Sequence, residues 1–270
     1  MNKLRKIIMA TFMLCILLAN ITSVYAAVPS IQNINFPNHV TQTDSSGRLY
    51  VVPEGELYKT SYDVQVTIAC NVYDTVSRPV VYYNGTQIGT MTAVTGTKNL
   101  YKLTWKPSLS QIGAQIGGPK DLKIVAMGAN GAVTSTKKVY FTGGNRKYYD
   151  ALIKDWTFVE PASTRYNCLS YVLGDKTTSR WPKNSTSKEV ISYLKSYGYK
   201  TCSQSEAKII AYGTSENNIT HFALKTSSSQ TVYKFGDLEV IRSNSLSPYK
   251  SMIYGGIELG YGKPLLYFKK

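Results

Sequence analysis

Between residues 61 and 143 apolar and polar positions alternate one by one. Val64, Val66 and Ile68 alternate with Gln65 and Thr67, which predicts a half-buried strand ending near Cys70. Pro79 to Tyr83 runs into Asn84-Gly85, a strong hairpin signal, and Ile88 to Met91 returns. Leu100 to Trp105 alternates again, and Leu122 to Ala126 and Lys138 to Phe141 flank the turn Asn130-Gly131. No amphipathic helical period interrupts these runs, so residues 61–144 are expected to form an all-β sandwich. Residues 27–60, broken by Pro29, Pro37 and Pro53, read as a weakly patterned segment that contributes part of the first strands.

The period changes after Gly143-Gly144. Asn145 can cap a helix whose Tyr148, Tyr149, Leu152 and Ile153 share one face. Tyr166 to Leu173 reads as a second, buried helix. The capping box Thr186-Ser187-Lys188-Glu189 opens a third, with Val190, Ile191, Leu194 and Tyr197 at helical spacing and Gly198 as its stop. Strands are expected at Lys208–Tyr212, Thr220–Lys225, Thr231–Phe235 and Pro264–Phe268. Helices first and strands after predict an α+β domain over residues 145–270.

Export enters from the first residues. Lys3, Arg5 and Lys6 precede a mostly apolar run from Ile7 to Ala19, and Val24-Tyr25-Ala26 supplies the small residues of a cleavage site. Residues 1–26 are therefore expected to be a signal peptide, cleaved after Ala26 or, as second choice, Ala27. Cys15 has no lipobox-like surroundings. No second long apolar stretch follows, so no transmembrane segment is expected after cleavage, and the protein is expected to be secreted from a bacterium. Cleavage would lower the formal charge of +15 to about +12. That charge favours anionic partners, and export points to cell-wall or cell-surface polymers and away from nucleic acid.

Three cysteines remain after processing: Cys70, Cys168 and Cys202. Together with His39 and His221 they give no zinc spacing, and neither a metal nor another cofactor is expected. Cys70 reads as a small core residue and His39 as a surface histidine. Cys168 stands at the expected start of a helix, where amides lower a thiol pKa and can hold an oxyanion. His221 opens an expected strand and is the one histidine of the second domain, which makes it the candidate base. Asp237, just past the next strand, is the candidate for orienting the imidazole, with Glu239 and Asn244 in reserve. Asn167 is a helix cap or an oxyanion donor. Trp156, Trp181 and Tyr171 are candidates for the walls of a cleft. A Cys168–Cys202 disulfide, which export would permit, is the competing use of the thiol.

Two resemblances follow from these residues. Val80 to Gly85, Tyr101 to Trp105 and Asp121 to Ala126 look like bacterial immunoglobulin-like domains of surface proteins. Cys168-Leu169-Ser170-Tyr171-Val172 and His221-Phe222-Ala223-Leu224 resemble the cysteine helix and histidine strand of papain-like hydrolases of the NlpC and CHAP types. A closer likeness is to a poorly characterised group of bacterial domains with an Asn-Cys start, a His-x-Ala-x-Lys strand and a Lys-x-Gly turn, here Lys234-Phe235-Gly236. NlpC-type enzymes place a polar residue on the strand after the histidine, where this chain has Val232 and Tyr233. The resemblance implies an α+β papain-like domain following the immunoglobulin-like sandwich. It implies a secreted cysteine amidase or peptidase acting on amide or peptide bonds of the cell wall. The alternative is a non-catalytic secreted surface-binding or adhesion protein.

Overall fold

The computed structural model describes residues 27–55, 65–254 and 257–270. The expected signal peptide and the Ser61–Val64 start of the first alternating strand lie outside them. The first ten strands are β1 (Ser30–Asn35), β2 (Val40–Thr43), β3 (Leu49–Val52), β4 (Val66–Tyr73), β5 (Val80–Tyr83), β6 (Thr86–Thr90), β7 (Thr92–Ala93), β8 (Leu100–Trp105), β9 (Lys120–Gly128) and β10 (Gly131–Phe141). They form a β-sandwich with sheet orders β1-β4-β8-β7 and β2-β3-β10-β9-β5-β6. Strand β4 shows why: Val66, Ile68, Cys70 and Val72 point inward and meet Val81, Leu122, Ile124, Val139 and Phe141 of the facing sheet. Each such side chain contributes roughly 1.5–3 kcal/mol of transfer free energy when fully buried. Asn84 and Gly85 both take positive φ, 50° and 79°, as the tight turn between β5 and β6 demands. Cys70 is a core residue, its sulfur 3.5 Å from that of Met91.

The second half departs from the α+β papain-like expectation. The described protein is mostly β, 44% strand against 13% helix. Strands β11 (Thr157–Glu160), β12 (Lys200–Thr201), β13 (Ile209–Ser215), β14 (Asn218–Lys225), β15 (Thr231–Lys234), β16 (Val240–Ser243), a hairpin of β17 (Met252–Tyr254) and β18 (Ile257–Leu259), and β19 (Lys263–Lys269) complete the chain. Seven of them form one sheet in the order β11-β16-β15-β14-β13-β19-β12. Its pairings are antiparallel throughout. The expected helices exist but are short. Arg146–Leu152 has two turns, and Cys168–Val172 is cut off by Gly174 at φ 80°. Only Ser187–Ser196, capped by Thr186 as its box predicts, approaches three turns. The apolar run from Tyr166 to Leu173 is buried on all sides, so its hydrophobicity reflects burial and not helix length.

The large sheet separates two layers. One face carries Ile209, Ala211, Phe222, Val232 and Val240 and packs against the helices Cys168–Val172 and Ser187–Ser196. The other carries Ile210, Tyr212, Ala223, Tyr233 and Ile241 and continues into Tyr50, Val52 and Tyr140 of the sandwich. The two halves thus share a core. At its centre Glu239 is fully buried. Its Oε1 accepts hydrogen bonds from the Tyr140 hydroxyl at 3.0 Å and the Gly143 amide at 2.7 Å, and its Oε2 accepts from the Tyr149 hydroxyl. Gly144 lets the chain pass this point, since a Cβ there would lie 2.6 Å from the Tyr149 ring.

Removing the carboxylate strands three buried donors, each costing about 1–3 kcal/mol. Glu239→Ala is expected to lower the urea-unfolding free energy by roughly 3 kcal/mol or more, and Glu239→Gln, which keeps one acceptor oxygen, by less. Unchanged unfolding midpoints in both variants would show that this network does not hold the halves together.

Candidate functional site

Cys168 is the first residue of its helix, and Asn167 is the cap. Asn167 Oδ1 accepts from the Ser170 amide at 3.0 Å, and Nδ2 donates to the Arg180 carbonyl at 2.7 Å. Both ends of that side chain are used structurally. The cap role expected from sequence is present, and the amide is not aimed at an oxyanion. The helix lies against β14 and β15. The backbone amides of Phe222, Leu169 and Cys168 itself act on the sulfur and favour its charged form. The sulfur is thus near Phe222, the chain neighbour of His221.

Cys168 is 6% exposed and its thiol is free, as are those of Cys70 and Cys202. The Cys168–Cys202 disulfide is not formed. Burial pushes the Cys168 thiol up to about 12, and the three amides and the charge of Lys234 pull the other way. At neutral pH the resting sulfur carries its proton.

His221 is 1% exposed. Its ring stacks on Tyr261 with centroids 3.8 Å apart and takes edge contacts from Tyr249 at 5.3 Å and Tyr233 at 5.7 Å. Strand alternation matters here. Phe222 packs with Cys168 in the helical layer, and His221 takes its ring neighbours from the tyrosines of the opposite layer. Burial, and after it the charge of Lys234, holds the imidazole well below its usual value, so it is neutral. Its Nε2 is buried without a hydrogen-bond partner, as are the hydroxyls of Tyr233 and Tyr249.

The third residue expected from sequence is elsewhere. Asp237 is exposed on the turn after β15, where its charge acts on Lys234 and Tyr261. With Nε2 unpartnered, no carboxylate orients His221 through that nitrogen. Glu239 belongs to the junction between the halves, and Asn244 is exposed and accepts from Gln230. Of the expected cleft residues, Trp181 packs edge-on against Phe222 at 5.3 Å, close to Cys168. Tyr171 stacks on Tyr166 at 6.3 Å on the same helix-side layer. Trp156 packs on Tyr149 and Phe158 in the other layer and walls nothing near the sulfur.

Lys234, named in the sequence only as part of a Lys-x-Gly turn, is the further charged residue of the site. It is fully buried on β15, with Nζ donating to the carbonyls of Gly236, at 2.7 Å, and Leu238. The ammonium lies 5.6 Å from the centre of the Tyr166 ring. Burial lowers its pKa to about 8, against the raising influence of Glu239, Asp237 and Cys168. A lysine on a strand between Tyr233 and Phe235 was the available signal, because a charge among buried aromatics has to be accounted for.

Two cavities flank this cluster. One of about 500 Å³ lies between the halves and is lined by Arg48, Gly118, Ser163, Arg165, Tyr166 and Lys176. The other, about 340 Å³, is lined by Gly213, Ser247, Tyr249, Gly262 and Lys263. Each reaches a tyrosine that covers the cluster: Tyr166 beside Lys234, and Tyr249 beside His221. Among the described residues no group of His, Cys, Asp and Glu could hold a metal ion.

Residues 157–262 match the family model described as a domain of unknown function, DUF7689. The match contains Cys168, His221, Lys234, Glu239 and Tyr261 and excludes the sandwich. No curated protein matches the chain.

The two histidines give the protein an acid limit. His39 accepts from the Thr67 amide at 2.7 Å and, like His221, is held below 6.5, chiefly by burial. Unfolding releases both to bind protons, so the unfolded state gains protons first as pH falls. Stability is complete above about 6.5 and decreases below it, by up to roughly 1.4 kcal/mol per pH unit for one such histidine. Urea midpoints measured from pH 7.5 to 5.0 are expected to fall, and His221→Gln to flatten part of that fall. Parallel curves for the two proteins would contradict the buried, neutral imidazole.

Proposed function

We propose that the chain is an exported cysteine amidase or peptidase with Cys168 as nucleophile. The observation that carries this is the burial of a thiol, an imidazole and an ammonium around the paired strands β14 and β15, each shifted from its ordinary pKa. Such a cluster costs stability and has no packing reason, since apolar residues would fill the same volume at less expense. The reading keeps the resemblance to NlpC-type and CHAP-type amidases as a likeness of chemistry, without their fold. The β-sandwich is then an immunoglobulin-like module that holds the enzyme to an anionic wall polymer, consistent with the surplus of lysine and arginine.

In this reading the described state is at rest. Tyr261 covers His221 and must move to admit substrate. It lies between Gly260 and Gly262, both at positive φ, and a Cβ at Gly262 would meet the Gly213 carbonyl at 2.2 Å. The charge of Cys168 reaches Tyr249 and Tyr261, the rings packed on His221, so in this reading displacement of Tyr261 opens the way between the two groups. The neutral imidazole then takes the thiol proton, and the thiolate attacks the amide carbon. The Phe222 and Leu169 amides that now face the sulfur stabilise the charge that forms beside it. Collapse breaks the C–N bond, and His221 returns the proton to the leaving amine. Water, deprotonated by the same imidazole, then cleaves the thioester to a carboxylic acid and restores the thiol.

The test is cleavage of wall stem peptides and crosslinks, read as newly released amino groups. Wild-type protein is expected to release them, and Cys168→Ala to lose at least about a thousandfold in rate. Undiminished release by Cys168→Ala, or none by wild type across a panel of wall peptides, would overturn the hydrolase. The non-catalytic surface-binding protein would then stand, with polymer binding by both proteins as its mark.

A further inference from the structure

We propose that Lys234 is the positive charge set beside the Cys168 sulfur to carry it through the thiolate, a positioning residue where an imidazolium was expected. The inference rests on Cys168 being the nucleophile. It goes beyond that reading by moving the stabilising charge from β14 to β15.

Three observations on geometry converge. First, strand alternation puts Lys234 on the sulfur's side of the sheet. Its neighbours Tyr233 and Phe235 belong to the tyrosine layer, and its ammonium faces Tyr166 in the layer that holds Cys168. His221 takes its ring contacts from the other side. Second, the ammonium is not consumed by an ion pair. Its acceptors are two neutral carbonyls, Gly236 and Leu238, and an ammonium has three protons to give. Glu239, the nearest buried carboxylate in sequence, spends its oxygens on Tyr140, Gly143 and Tyr149. Third, the position is held on both sides. The turn after β15 closes through Phe235 N to Glu239 O at 3.0 Å and Leu238 N to Phe235 O at 2.9 Å, so the carbonyls that hold Nζ are themselves fixed.

The charged and titratable groups around the pair are few. Lys234 feels Glu239, Asp237 and Cys168. The sulfur feels Lys234 as its cation, and its own charge reaches Tyr249 and Tyr261. The cation that lowers the thiol pKa also holds His221 neutral. A neutral imidazole can accept a proton, whereas an imidazolium could only give one. The division of labour follows: Lys234 supplies the charge, and His221 moves the proton.

The test compares alkylation of Cys168 by iodoacetate and iodoacetamide, with the modified peptide identified by mass spectrometry and Cys202 as internal control. The two reagents differ by one negative charge, so their rate ratio reports the local charge at the sulfur and is independent of access. Lys234→Met is expected to lower the iodoacetate-to-iodoacetamide ratio at Cys168 by about tenfold and to move the pH profile of alkylation upward. Lys234→Arg should retain most of the ratio, and Cys202 should not change. An unaltered ratio and pH profile in folded Lys234→Met would overturn the proposal. Should that variant fail to fold, wild type supplies the measurement. Its ratio should drop as pH rises through about 8, where the lysine loses its charge, and a constant ratio would overturn the proposal equally. Neither readout needs amide cleavage, so failure of the hydrolase and failure of this assignment are distinguishable.

Discussion

The buried carboxylate of Glu239 is the constraint on which the arrangement depends. A carboxylate removed from water has to be satisfied by donors at short range, and here the donors come from three separate places. Tyr140 is the last residue but one of β10, Gly143 begins the link, and Tyr149 lies on the helix Arg146–Leu152. The acid itself closes the turn after β15. One side chain therefore fixes the orientation of the sandwich against the seven-stranded sheet. It also fixes the turn whose carbonyls hold Lys234.

The large sheet then divides the chemistry between its faces. Cys168 and Lys234 lie with the short helices, and His221 lies among tyrosines that connect to the sandwich. A thiolate–imidazolium pair is disfavoured at rest, because the same cation that favours the thiolate disfavours the imidazolium. Burial adds to both effects: it keeps the thiol protonated and the imidazole neutral. The resting cluster carries a single charge, that of Lys234, and it is covered by Tyr261 and Tyr166.

Much of the first half was legible because a strict period of two has one physical reading. Val66 and Ile68 had to share a face and Asn84-Gly85 had to turn, although the strand runs on to Tyr73, past its expected end near Cys70. The second half was legible in pieces. The Asn145 and Thr186 caps, the Gly198 stop and four of the strands are where local chemistry puts them. Its class was misread because a short apolar run such as Tyr166 to Leu173 looks alike whether it is a long helix or one buried turn and a half. Strand β16 and the β17–β18 hairpin gave no clean alternation to detect. Cys168 and Asn167 were legible from the cap. The third residue was not, because a search for a carboxylate near His221 assumes that an imidazolium needs holding. Lys234 was legible only as part of a Lys-x-Gly turn, although a lysine between two buried aromatics is the less common placement.

The sandwich consequently has a second role beside the surface attachment proposed for it. Tyr50 stacks on Phe158 at 5.1 Å, Arg48 donates to the Val159 carbonyl at 2.8 Å, and Gln42 bonds both to Trp156 and to Phe158. These contacts line β11 up against β2, next to the cavity that reaches Tyr166. A module added only for attachment would need a linker and little else. Here the connection is a shared core, a buried acid and two consecutive glycines that let the chain pass closely by it. The cavity at Arg165 and Lys176 thus lies on the same shared core as the turn that holds Lys234. An isolated second half would lose the Tyr140 and Gly143 donors to Glu239, the residue whose carbonyl closes the turn that holds Lys234.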